Sequence, residues 1–218
     1  LTEWNKLKKN SGIADVPLAE EGILLAEKTG EALRGVKFDI CFTSPLSRAR
    51  QTAECVLGKR DVPIIPDKRI QEINFGVLEG DQVRDAAGNY IDPQIELFRD
   101  PVNFKRPENG EDIFDVIART KDFWDEKTSD PALADKTILV ASHGCAVRAL
   151  LQNVDPDPKN FWRGCVPPNC CVNLVEVKEW KNKLLEEDKV MHKNNEKRRI
   201  TVMVVLRFLV KNIQVTID

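Results

Sequence analysis

Thr137-Ile138-Leu139-Val140-Ala141-Ser142-His143-Gly144 is the stretch that decides the fold. Its four central residues are apolar without a break, the pattern of a strand covered on both faces, as in a parallel sheet. The run is of strand length and ends at His143-Gly144, where glycine permits a tight turn into the helical pattern of Ala146 to about Asn153. In an open parallel sheet ligands bind beyond the carboxyl ends of the strands. His143 is therefore a candidate functional residue as soon as the strand is read.

Working outward, the same alternation repeats. Phe38 to Phe42 predicts a second strand, and Thr43-Ser44-Pro45 turns it into a helix running to Leu57 and stopping at Gly58. Ser44 is the expected N-cap of that helix, with Pro45 at its first position. Pro63 to Pro66 reads as a brief strand, Cys170 to Val177 as another. Helical spacing covers Pro17 to about Leu33, with Glu20 and Glu21 in the first turn, and Glu111 to Glu126, with Ile113, Val116, Ile117, Phe123 and Trp124 as core positions. The class is α/β, doubly wound, with a mostly parallel central sheet and helices on both faces. The irregular stretch from Arg69 to Gly110 is long enough to be a lid or substrate wall. It offers Tyr90, Phe98 and Phe104 for an apolar surface and Arg84, Arg99, Lys105 and Arg106 for extra anionic groups.

The tail departs from this pattern. Lys189 to Arg199 is polar and basic, and Ile200 to Ile217 is rich in Val, Ile and Leu. It reads either as a late strand or helix added to the domain edge or as a non-native extension. The expected organisation is one domain over 1–188 followed by a tail over 189–218.

Composition excludes several classes. The 218 residues carry 33 Lys plus Arg against 35 Asp plus Glu, a net charge of -2. A phosphate-backbone binder would carry a basic excess, so no nucleic-acid partner is expected. No stretch approaches about 18 consecutive apolar residues, so no membrane-spanning helix is expected. The polar Leu1-Thr2-Glu3-Trp4-Asn5-Lys6 is no secretion signal. Six scattered cysteines fit free thiols in a reducing cytosol. Adjacent Cys170 and Cys171 point to opposite sides of a strand, and no metal cluster is expected.

Two further segments add chemistry at the same rim. Thr43-Ser44-Pro45-Leu46-Ser47-Arg48-Ala49-Arg50-Gln51-Thr52 joins a strand end to a helix N-terminus and combines free N–H groups, a positive dipole end and guanidinium groups, all suited to phosphate. Arg69-Ile70-Gln71-Glu72-Ile73-Asn74-Phe75-Gly76-Val77-Leu78-Glu79-Gly80 puts a Glu in a glycine-broken segment, where it can act as general acid toward a leaving alkoxide.

Ser44 through Thr52, Glu72 through Gly80 and Ser142-His143-Gly144, in that order, resemble the histidine phosphatase superfamily, also called phosphoglycerate mutase-like. The resemblance covers about Leu1 to Asp188. It implies a phosphohistidine intermediate, with Arg48 and His143 binding the phosphoryl oxygens, Asn5 hydrogen-bonding the phosphoryl group, Thr2 lining the pocket and Glu72 as proton donor and later base. No cofactor and no metal is implied, the partner is a small phosphorylated metabolite, a homodimer is compatible, and the location is cytoplasmic. Arg50 falls off the pocket face and is expected to be structural.

One departure is severe. The family's nucleophilic His lies in Arg-His-Gly at the end of a first strand, and Thr2-Glu3-Trp4-Asn5 looks like the residues that follow it. His143 matches the family's second His and His192 lies in the basic tail, so the sequence as given is expected to be inactive. A sheet without that central strand would leave two unpaired edges, so roughly ten more residues are expected upstream. Three functions compete: a phosphomonoesterase, a phosphoglycerate mutase, and a catalytically dead phospho-ligand binder. The absence of an Arg-Arg pair between Asp81 and Asp112, which would clamp a glycerate carboxylate, favours the phosphatase.

Overall fold

The computed structural model describes residues 1–83, 85, 87, 89, 91, 94–178, 182–191 and 202–208. Arg84, Tyr90 and His192, singled out above, lie outside them, as does most of the tail.

Each half of the sheet is built from local signals. Strand β1 (Ile40–Thr43) leads into helix α3 (Ser47–Leu57), then β2 (Ile64–Pro66); β3 (Thr137–Ser142) leads into α6 (Gly144–Leu151). Helices α1 (Glu3–Lys6) and α2 (Glu20–Ala32) precede β1, and α4 (Gln94–Arg99) and α5 (Ile113–Ser129) precede β3. Strands β4 (Cys171–Val177), β5 (Lys183–Val190) and β6 (Val202–Phe208) complete the chain. The sheet order is β2-β1-β3-β6-β4-β5.

The doubly wound class follows from how β3 divides its side chains. Ile138 and Val140 pack with Phe123, Trp124, Val147 and Leu150 under α5 and α6, whereas Leu139 and Ala141 pack with Ala26, Ala53 and Val56 under α2 and α3. Alternate residues of a strand point to opposite faces, so an unbroken apolar run requires a helix layer on each side. All four are wholly buried, and the Ile, Leu and Val are each worth about 1.5–3 kcal/mol relative to exposure. Cys171 belongs to the first cluster and Cys170 to the second, on opposite sides of the sheet.

The parallel pairs are β1 with β2, β1 with β3, and β4 with β6. The antiparallel pairs are β3 with β6 and β4 with β5. The tail thus holds a strand, as one reading expected, but not at an edge. Residues 202–208 form the fourth of six strands, pairing Val204 with Val140 on one side and with Asn173 on the other. This segment pairs with both β3 and β4, so their facing backbone groups are satisfied; a backbone donor or acceptor buried without a partner costs about as much as a lost hydrogen bond.

The start of α3 also differs from expectation. Helical residues begin at Ser47, Leu46 occupies the N-cap without a side-chain bond, and the Ser44 hydroxyl accepts from the Leu46 N–H within the preceding turn. The cap comes from elsewhere: the Asp15 carboxylate accepts from Ser47 N–H at 2.7 Å and from its hydroxyl at 2.8 Å.

Candidate active site

At the carboxyl end of β3, His143 takes extended backbone angles and serves as the N-cap of α6. It is fully buried, and neither ring nitrogen has a hydrogen-bond partner among the described residues. Burial pushes its pKa well below 6.5, and the charges of Arg48 and Arg119 push the same way, so the ring is neutral. Two orphaned nitrogens in a native interior call for an explanation, and an absent ligand oxygen is one.

Arg48, in the first turn of α3, is likewise fully buried. Its terminal nitrogens donate to the carbonyls of Ala14, at 2.8 Å, Ser11, at 3.2 Å, and Gly12, while its Nε has no partner. Those carbonyls are presented by a loop that Glu79 holds from the other side. Its carboxylate accepts from the N–H groups of Gly12, Ile13, Ala14 and Phe75. A Cβ on Gly12 would lie 2.1 Å from Glu79 Oε1 and 2.3 Å from the Ile73 carbonyl, so only glycine fits that approach.

Glu72 is 5% exposed. Oε1 accepts from Ile73 N at 3.0 Å, Cys145 N at 3.1 Å and Ala146 N at 3.2 Å. Burial raises its pKa above 4.5, and these amides together with the Arg48 charge pull partly back. Its segment is clamped by Arg119 of α5, which donates to the carbonyls of Arg69, Gln71 and Glu72 and is itself paired with Glu111 at 2.8 Å. The Ser142 hydroxyl, at the end of β3, donates to the Ile70 carbonyl at 2.8 Å.

Thr2 N-caps α1 in a reciprocal capping box with Asn5. Asn5 Oδ1 accepts from the Thr2 N–H and hydroxyl, which leaves Nδ2 as its available donor among the described residues.

A cleft of about 680 Å³ runs past this group. Asn5, Glu72, Gly144 and Cys145 line it; Arg48, His143 and Thr2 lie buried and off its lining. Phe75, Leu97, Phe98, Trp162 and Val166 form its apolar surface, with Trp162 fixed by a 2.6 Å bond from Nε1 to the Leu97 carbonyl. Phe98 is in the wall as expected, but Phe104 is buried in the satellite core beneath it. Of the basic residues anticipated there, Arg99 and Lys105 are exposed and off the lining, and Arg106 is drawn to Asp112 and Asp115 at the start of α5. Arg50 is exposed and paired with Glu54. The Cys145 thiol is pushed well above its usual value by burial and is no thiolate nucleophile. Among the described residues no group of three or more His, Cys, Asp or Glu could hold a metal, and no helix is long and apolar enough to cross a membrane.

Asp15, Glu79, Arg119 and Glu111 were not singled out by sequence. Glu79 carried a local hint, sitting between Gly76 and Gly80, but nothing near Arg119 or Asp15 signals a partner so far along the chain.

The sequence profile of the histidine phosphatase superfamily (branch 1) matches residues 1–188. The chain belongs to that superfamily. It is 34% identical over 159 residues to a 2,3-bisphosphoglycerate-dependent phosphoglycerate mutase of Methylobacterium sp. (strain 4-46), covering 71% of this chain and 76% of that protein. A phosphoglycerate mutase of Schizosaccharomyces pombe is 33% identical over 159 residues, 71% of this chain and 75% of its own. Among solved structures, Bacillus stearothermophilus YhfR superposes with a TM-score of 0.74 at 28% identity, covering 87% of this chain and 93% of its own. The alpha-ribazole phosphatase of Shigella flexneri shares the fold at a TM-score of 0.70 and 23% identity, over 89% of this chain and 96% of its own.

Proposed function

We propose that this superfamily member is a phosphomonoesterase acting on a small phosphorylated metabolite in the cytoplasm. The observation that carries the reading is a pair of fully buried N–H donors with no acceptor among the described residues, the one on the neutral His143 ring and Nε of Arg48, in a site whose Glu72 carboxyl is kept protonatable by burial. A phosphoryl oxygen supplies the missing acceptor, and Asn5 Nδ2 adds a donor from the cleft. In the reaction the P–O bond to the alcohol breaks, a P–N bond forms, and the Glu72 proton goes to the departing alkoxide. Water then attacks phosphorus, the P–N bond breaks, and Glu72 takes the water's proton. The phosphoryl acceptor, a histidine in the family that the sequence resembles, is assigned to none of the described residues.

The identity to phosphoglycerate mutases supports a second reading, return of the phosphoryl group to a glycerate. Against it stands the placement of Arg99, Lys105 and Arg106, the basic residues of the 81–112 stretch among the described residues, none of which lines the cleft.

The test uses the chain extended by a strand ending in Arg-His-Gly. Glu72→Gln is expected to slow alkyl phosphate hydrolysis by ~10²-fold or more, and para-nitrophenyl phosphate hydrolysis far less, because nitrophenolate leaves without a proton. Equal losses on both substrates would remove Glu72 as the acid. Conversion of 3-phosphoglycerate to its 2-isomer, without release of phosphate, would establish the mutase instead.

A further inference from the structure

Lys8 follows α1 with a left-handed backbone, φ 57°. A side chain other than Gly or Asn is rare there, and such strain persists only where the surroundings enforce it. Here they do. The Lys8 N–H donates to the Asn5 carbonyl, its carbonyl accepts from Val83 N at 2.8 Å, and its neighbours are tied by Lys9 N to the Trp4 carbonyl and Asn10 N to the Asp81 carbonyl. The backbone alone would be better served by glycine, so the lysine side chain needs its own reason.

That side chain lines the cleft and is exposed. Its ammonium has no carboxylate or hydrogen-bond partner among the described residues, in contrast to Lys6, which is paired with Glu3 at 2.9 Å and Glu21 at 2.6 Å. Lys9, also in the lining, has its ammonium 5.7 Å from the centre of the Trp4 ring and no acidic partner among the described residues. Two cations without an acidic partner among the described residues therefore face a cleft whose wall includes Phe75, Leu97, Phe98, Trp162 and Val166. They differ in placement from the phosphoryl donors: Arg48 and His143 are wholly buried and off the lining, whereas Lys8 is exposed within it.

We infer that Lys8, supported by Lys9, is the specificity-determining subsite for a second anionic group, so that the substrate is a phosphomonoester whose apolar or aromatic body carries a carboxylate or another phosphate at its far end. This rests on the phosphomonoester reading of the same cleft. Phosphate goes to the buried donors, the body lies on Phe98 and Trp162, and the distal anion meets Lys8.

Calorimetric titration of the 218-residue chain tests it with two hydrolysis-resistant probes, benzylphosphonate and 4-carboxybenzylphosphonate. The carboxylated probe is expected to bind about two- to fivefold tighter at low salt, the range of one solvent-accessible charge contact. The advantage should shrink as salt rises. Lys8→Gly and Lys8→Asn, both suited to a left-handed backbone, are expected to bring the affinity ratio close to one without lowering the thermal midpoint, and Lys8→Arg to keep it. A ratio that is already one in the unaltered chain, or that survives Lys8→Gly and Lys8→Asn, overturns the subsite while leaving the phosphomonoester site standing. Failure of both probes and of inorganic phosphate to bind overturns the site and the subsite together.

Discussion

Arg48 and Arg148 are both wholly buried, and each has an Nε with no partner among the described residues. Arg148, in α6, meets carboxylates: Asp188 and Glu187 of β5, the latter at 3.3 Å, with the Cys165 carbonyl at 2.9 Å. Among the described residues Arg48 meets only carbonyls at contact distance, and Glu72, Glu79 and Asp15 act on it from further away. The same side chain at the same burial thus has two uses. A contact carboxylate neutralises Arg148 and makes it a tie between helix, sheet edge and cleft wall. Carbonyl dipoles orient Arg48 without cancelling its charge, which leaves it able to attract an anion.

The largest expected effect is on Arg148. Arg148→Ala leaves Asp188 without its partner and should lower unfolding free energy by about 3–5 kcal/mol, measured by urea denaturation. Arg148→Met combined with Asp188→Asn, a residue suited to the left-handed backbone at 188 (φ 46°), should recover much of that loss, since no unpaired buried charge then remains. If the double variant were as unstable as the single, the tie would lie in the Cys165 carbonyl and not in the charges.

Arg48→Met should be milder for folding, about 1–3 kcal/mol, the range for carbonyls left without donors. Its signature is inorganic phosphate affinity, expected to fall about tenfold or more with loss of a charged donor. The Arg148→Met, Asp188→Asn protein should bind phosphate as the parent does. Equal phosphate affinity in the Arg48 variant would erase the distinction between the two arginines.

The smallest effect is on pH dependence. His143 has a depressed pKa in the fold, so the unfolded chain binds the extra proton first as pH falls below 6.5, and stability drops with it. Glu72 has a raised pKa, so the unfolded chain releases its proton first as pH climbs above 4.5, and stability drops in that direction. The two slopes oppose one another between those values. His143→Gln should leave only the fall with rising pH, and Glu72→Gln only the fall with decreasing pH. Thermal midpoints across pH 4 to 7 check both, and parallel profiles for the two variants would remove these groups as the source.

Much of the site was legible because its signals are local. The apolar run of β3, the glycine after His143 and the acid-led start of α2 act over a few residues, so Thr137 to Gly144 declares its own conformation. Glu72, Arg48 and Asn5 could be named from motif order alone, but not their neighbours. The expected Ser44 cap failed for the same reason in reverse: Asp15, distant along the chain, supplies a better acceptor than the local serine.

Sequence by itself therefore determined the doubly wound class, the strand end that bears His143, and the chemical character of the rim, since period, turn residues and charge are properties of short stretches. Only the tertiary structure decided that residues 202–208 lie in the middle of the sheet, that Glu79 and Arg119 hold the loops around Arg48 and Glu72, and that Lys8, not Lys6, keeps an uncompensated charge in the cleft. Strand order, buried hydrogen bonds and ion pairs join residues far apart in the chain. Which partners meet is settled by satisfying every buried polar group at once, and no single stretch contains that condition.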